Sequence, residues 1–153
     1  MRINKNGFTM LELLAVIIIL GILITLAYTG VSRYLKQARN ATYEDFEKNI
    51  TAGVTNYLIE HSGSIPSEGE SLIVDVEKLV CEGYIESLED PNSSTKTCNL
   101  ESYAIVKRNN DKGYNMDIDY SACLKCIGYQ SPACSNSISG IRRLKADSTC
   151  EVD

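Results

Sequence analysis

From Leu13 to Ser32 the chain runs for 20 residues without a charged side chain, and most of them are Leu, Ile, Val or Ala. No other feature limits the fold as tightly. Coiled as an α-helix, such a run is about 30 Å long, the thickness of a bilayer's hydrocarbon core. One carboxylate, Glu12, sits at its mouth, and no basic residue inside the apolar segment can pair with it. A charge at mid-membrane costs about 2.5–3.5 kcal/mol on insertion scales, so an ionisable residue there is a functional candidate. The plainer alternative is that Glu12 marks the membrane interface, where its cost is small.

The residues before the run separate the two. Met1 to Gly7 is short, polar and basic (Arg2, Lys5), and ends in glycine directly before Phe8. A secretory signal has a shorter apolar region followed by a small-residue cleavage site. Here the small residue precedes a longer apolar region. The stretch Lys5-Asn6-Gly7-Phe8-Thr9-Met10-Leu11-Glu12-Leu13-Leu14 closely resembles the leader junction of type IV prepilins and pseudopilins, over about the first 30 residues. The resemblance implies a leader at 1–7, cut after Gly7 by a prepilin peptidase that also N-methylates the new terminus, Phe8. It implies a transmembrane and filament-core helix at 8–32, with Glu12 facing the Phe8 amine of a neighbouring subunit. It further implies identical or related subunits, an assembly platform and motor in the inner membrane, and the lipid bilayer as partners. The outer domain is expected outside the cytoplasmic membrane. The family often carries a helix-kinking proline late in this helix; this chain has only Gly21 and Gly30 there.

The remaining residues, 33–153, suffice for one small domain. Beyond Ser32 there are 13 Lys and Arg against 19 Asp and Glu, a formal charge of −6. An acidic domain argues against nucleic acid as a partner. Basic residues flank the apolar run on both sides, Arg2 and Lys5 before it and Arg33, Lys36 and Arg39 after it. The positive-inside count therefore does not orient the helix; the prepilin-like junction does, together with the cysteines.

All six cysteines, Cys81, Cys98, Cys123, Cys126, Cys134 and Cys150, lie in the outer part and suggest an oxidising location with structural disulfides. Six allow 15 pairings, and sequence does not choose among them. Cys123-Leu124-Lys125-Cys126 also has redox and zinc spacing. The redox reading lacks a βαβ setting, and the zinc reading lacks a second close pair, since the one histidine, His61, is remote.

The fold expected is α+β. A helix continues from Arg33 to about His61, with small or apolar residues at Tyr34, Ala38, Ala41, Phe46, Ile50, Val54 and Tyr57, and Leu35, Gly53 and Leu58 alongside. With no proline from Phe8 to His61, one helix of about 50 residues follows, apolar all round in its first half and amphipathic in its second. Asp75 to Glu82 reads as a short helix capped by Asp75 and ended by Gly83. Gly83-Tyr84-Ile85 and Asp90-Pro91 resemble the loop between helix and sheet in Gram-positive pilins. Tyr103–Lys107 and an alternating strand over Tyr114, Met116, Ile118 and Tyr120 form a hairpin in a small antiparallel sheet. A strand over 138–144 lies in a C-terminal cap tied by disulfides. Asp111, Asn115, Asp117 and Asp119 lack the spacing of a calcium loop and suit a turn and an outer strand face. Arg142-Arg143-Leu144-Lys145 reads as a solvated or subunit-contact patch.

No nucleophile elbow, phosphate loop or dinucleotide fingerprint occurs. No enzyme, cofactor or metal is expected. The resemblance implies a structural subunit of a type IV pilus or a related secretion or competence filament. The alternative is a single-pass anchored ectodomain for adhesion or sensing that does not polymerise.

Overall fold

The computed structural model describes residues 9–109, 117–135, 141–147 and 150. The leader, the turn and first half of the expected Tyr114–Tyr120 strand, and residues 138–140 lie outside them. Helix α1 (Met10–Glu60) spans 51 residues without a proline. By compactness the chain divides into residues 1–40 and 41–153.

In the first unit every large apolar side chain from Met10 to Leu26 is exposed. The hydroxyls there are satisfied by the helix itself: Thr25 Oγ1 donates to the Gly21 and Ile22 carbonyls, and Ser32 Oγ to Tyr28. Such bonding lets polar residues sit in an apolar surround without an unmet donor.

In the second unit α1 buries Tyr43, Ile50, Val54, Tyr57 and Leu58, with Phe46 half-buried. Tyr34, Leu35, Ala38 and Ala41, which the spacing assigned to the same stripe, are exposed. Periodicity marks which residues share a face, not how far a partner surface extends. The helix ends one residue before His61, whose Nδ1 lies 3.1 Å from the Tyr57 carbonyl oxygen.

The main sheet has four strands, β1 (Ser71–Asp75), β2 (Tyr103–Arg108), β3 (Ile118–Cys123) and β6 (Ile141–Leu144), in the order β3-β2-β1-β6. A second sheet pairs β4 (Lys125–Cys126) with β5 (Tyr129–Gln130). The expected antiparallel pairing is present between β2 and β3, with Val106 opposite Tyr120 and Ala104 opposite Ala122, but β3 runs on to Cys123, three residues past the expected end at Tyr120. Ile118, Tyr120, Ala122, Leu72, Val74, Ala104 and Val106 pack with the α1 stripe in one core. That is the alternation a half-buried strand requires.

The sheet is not purely antiparallel, as expected, but mixed: β6 runs parallel to β1, with Ser71 opposite Ile141 and Val74 opposite Leu144. A connection as long as that from β1 to β6 can return in either direction, because parallel pairing needs only a crossover of a dozen or more residues. Strand β1, buried at all five positions, carries no periodic signal in the sequence. Three apolar residues, Leu72 to Val74, are too short a run to show a period.

Helix α2 (Val76–Cys81) follows β1 without a break. Asp75 precedes it but makes no side-chain cap; its carboxylate accepts from Arg143 Nε at 2.8 Å instead. At the other end Gly83 takes φ +77°, open to glycine without strain. Its N–H bonds the Val80 carbonyl and that of Tyr84 the Leu79 carbonyl, the double closure of a Schellman turn.

Candidate functional site

The first turn of α1 carries the one carboxylate of the apolar segment. Thr9 precedes the helix, and Glu12 N–H donates to its side-chain Oγ1 at 3.3 Å and to its carbonyl at 3.1 Å. Thr9-x-x-Glu12 is thus half of a capping box, a signal legible in the sequence. The cap leaves the Glu12 carboxylate in the first turn of a helix whose neighbouring side chains are all exposed and apolar. Chemically, this is an anion presented on a greasy rod, suited to a cationic partner brought by another molecule. Gly7 and Phe8, the other two residues of the expected processing and assembly site, lie outside the described residues.

The cysteines form three disulfides: Cys81–Cys150, Cys98–Cys126 and Cys123–Cys134. Cys123 and Cys126 are bonded to different partners, so their C-x-x-C spacing closes no redox loop. Asp90, Cys98 and Cys126 bring potential ligand atoms within 4.8 Å of one another. Both sulfurs are spent in one disulfide, and the Asp90 oxygens accept the N–H groups of Asn92 (2.8 Å) and Ile127 (2.6 Å). That donor set does not fit zinc, which binds thiolates. His61 stacks on Tyr57 with ring centroids 4.4 Å apart. Asp117 and Asp119 both accept from Asn109 Nδ2, while Asp111 and Asn115 lie outside the described residues.

Around Asp90 the lobe is knitted by polar contacts that the Asp90-Pro91 sequence does not announce. Asn92 Nδ2 donates to the Tyr43 hydroxyl (2.7 Å) and the Ile127 carbonyl (2.9 Å). Tyr43 stacks on Tyr129 at 4.0 Å, and the Tyr129 hydroxyl donates to Glu47 at 2.8 Å. Burial, reinforced by that bond, pushes the Tyr129 phenol up to about 12. The hydrogen bond from Tyr84 to Glu60 (2.6 Å) does the same for Tyr84, also to about 12. In the basic cluster Arg143 pairs with Asp75 and lies over the Tyr103 ring, while Arg142 donates to the Ser64 carbonyl. Two of its three bases are therefore used inside the lobe. A side chain's use by its own lobe depends on what the fold brings opposite, which spacing does not encode.

Residues 2–28 match the family described as the prokaryotic N-terminal methylation motif. The ComG operon protein 3 homolog of Bacillus licheniformis is 29% identical over 90 residues, 58% of this chain and 84% of that protein. Competence protein ComGC of Bacillus subtilis is 26% identical over 83 residues, 54% of this chain and 76% of that protein. The N-terminal segment is type IV pilin-like, and the similarity to competence proteins extends beyond it. These relatives are pilin-like structural proteins rather than enzymes. No solved structure matched the chain. The methylation motif and the exposed apolar helix together point to membrane anchoring.

Proposed function

We propose that the chain is a subunit of a competence pseudopilus, made as a membrane-anchored precursor and polymerised through its N-terminal helix. Processing cleaves the bond between Gly7 and Phe8, and a prepilin peptidase methylates the Phe8 amine. The segment 8–32 holds the precursor in the cytoplasmic membrane with the lobe outside it, where the three disulfides form. In the filament the same segment packs against those of other subunits, and Glu12 pairs with the Phe8 amine of a neighbour. A platform and motor in the membrane supply the work of extraction.

The observation that carries this reading is the placement of Glu12. It is the sole carboxylate from Met1 to Tyr43 and lies in the first turn of a helix with no buried apolar side chain from Met10 to Leu26. A carboxylate in low dielectric is tolerated when paired with an opposite charge. The relatives' names, ComG operon protein and competence protein, favour the competence filament over a secretion filament or an adhesive pilus.

The test expresses the chain in a host with the peptidase and measures the intact mass and N-terminal residue. A methylated Phe8 terminus is expected. Glu12→Ala is expected to leave processing and the membrane-held subunit intact and to abolish incorporation into filaments. A chain that still starts at Met1, or normal incorporation of the variant, refutes the reading in favour of an anchored ectodomain.

A further inference from the structure

Beyond the apolar run, α1 carries Arg33, Lys36 and Arg39 within residues 10–40. Their spacing of three places them inside about 120° of the helix circumference, on one stripe. All three are exposed, and none makes an ion pair among the described residues. No Asp or Glu occurs between Leu13 and Tyr43 to neutralise them. On the same stretch Tyr28 and Tyr34 are 74% and 72% exposed. Tyrosines at the end of an apolar helix, followed by bases, are the two features that mark a membrane's polar boundary. Tyr28 stands about 8 Å before Arg33, and Arg39 about 9 Å after it. The Tyr28 ring therefore comes at the edge of the hydrocarbon, and Tyr34 lies among the guanidinium and ammonium groups, which come among or just above the phosphates, within about one Debye length.

We propose that Tyr28, Arg33, Tyr34, Lys36 and Arg39 form a docking collar for anionic phospholipid headgroups at the end of the apolar helix remote from Glu12. The bases bind lipid phosphates, the arginines by paired N–H donors, and the tyrosines fix the depth of the helix. The collar accounts for basic residues on both flanks of the apolar run, which a positive-inside signal alone does not require. It rests on the membrane-anchoring part of the proposed function but not on processing or polymerisation.

The full chain is reconstituted in bilayers of equal phosphatidylcholine and phosphatidylglycerol, extracted gently, and its retained lipids are counted by native mass spectrometry. Phosphatidylglycerol is expected to be enriched about fivefold per bound lipid, the factor one base contributes near a charged surface. The variant R33Q/K36Q/R39Q, whose glutamines keep helix propensity, is expected to lose the enrichment. High salt is expected to erase it in the unsubstituted chain, a result independent of how the variant folds. Equal retention of the two lipids, or enrichment that survives the triple substitution, overturns the collar. So does carbodiimide coupling of Lys36 to Glu44 or Asp45 of a second copy without lipid enrichment, which would assign the stripe to a neighbouring subunit. A chain that fails to enter the bilayer refutes the anchoring reading itself; one that enters without lipid preference refutes the collar alone.

Discussion

Gly53 lies buried inside α1, about two turns before its C-terminal end, where glycine is a poor helix former. Alanine there gains about 1 kcal/mol of helix propensity. The new Cβ, however, falls 2.3 Å from Cγ2 of Ile85, against about 3.5–4 Å for an ordinary carbon contact. Ile85 would have to retreat by more than 1 Å, roughly the length of a bond. Its β-branch leaves little rotamer freedom. Its backbone is held too: the Ile85 N–H bonds the Leu79 carbonyl at 3.4 Å, and the preceding Tyr84 N–H bonds the same carbonyl at 2.8 Å. Overpacking of this kind costs about 1–3 kcal/mol, so Gly53→Ala is expected to destabilise by about 1 kcal/mol net. The decisive quantity is the coupling. In an Ile85→Ala background Cγ2 is gone, and the nearest remaining atom of residue 85, its Cβ, sits at 3.7 Å, an ordinary contact. Gly53→Ala should then stabilise by about 1 kcal/mol, giving an interaction energy of about 2 kcal/mol. Urea unfolding of the four detergent-solubilised chains, followed by near-ultraviolet circular dichroism of the tyrosines, measures it. Effects that add within about 0.5 kcal/mol would show that residue 85 is not what demands glycine at 53.

Tyr84 and Tyr129, two of the nine tyrosines, should titrate late, near pH 12 rather than the ordinary 10.0, when tyrosinate absorbance is followed in the native chain. Because folding raises these pKa values, the stability linked to them is whole below pH 10 and lost as pH climbs towards 12; Tyr129→Phe should flatten that loss. Arg143→Met should cost roughly 2 kcal/mol by leaving Asp75, largely buried, without its partner. Arg142→Met, whose side chain is exposed, should cost well under 1 kcal/mol, and equal costs in thermal unfolding would refute the distinction. Replacing Cys98 and Cys126 by alanine frees the β4–β5 hairpin from a loop of 28 residues' separation and should lower stability by about 3.5 kcal/mol. An unchanged unfolding midpoint would mean that the hydrogen bonds to Asp90 and Asn92 hold the hairpin alone.

What can be read along the chain without a partner is what the sequence alone determined. The apolar run, the long proline-free helix, the turn at Gly83 and the β2–β3 hairpin are local: each rests on residues a few positions apart, whose spacing or backbone freedom suffices. So is the match of residues 2–28 to the N-terminal methylation motif, a linear signal with no need of a fold. The tertiary structure alone decided which cysteines join, because 15 pairings share one sequence. It decided that β6 returns parallel to β1, that Asp75 meets Arg143 instead of capping α2, and that Gly53 makes room for Ile85. It also showed Tyr43, absent from the spacing-derived stripe, at the centre of the contacts joining α1 to Asn92 and Tyr129. These are long-range choices. Their free energies come from burial and from hydrogen bonds between residues tens of positions apart, and no local pattern records which residues the chain will bring together.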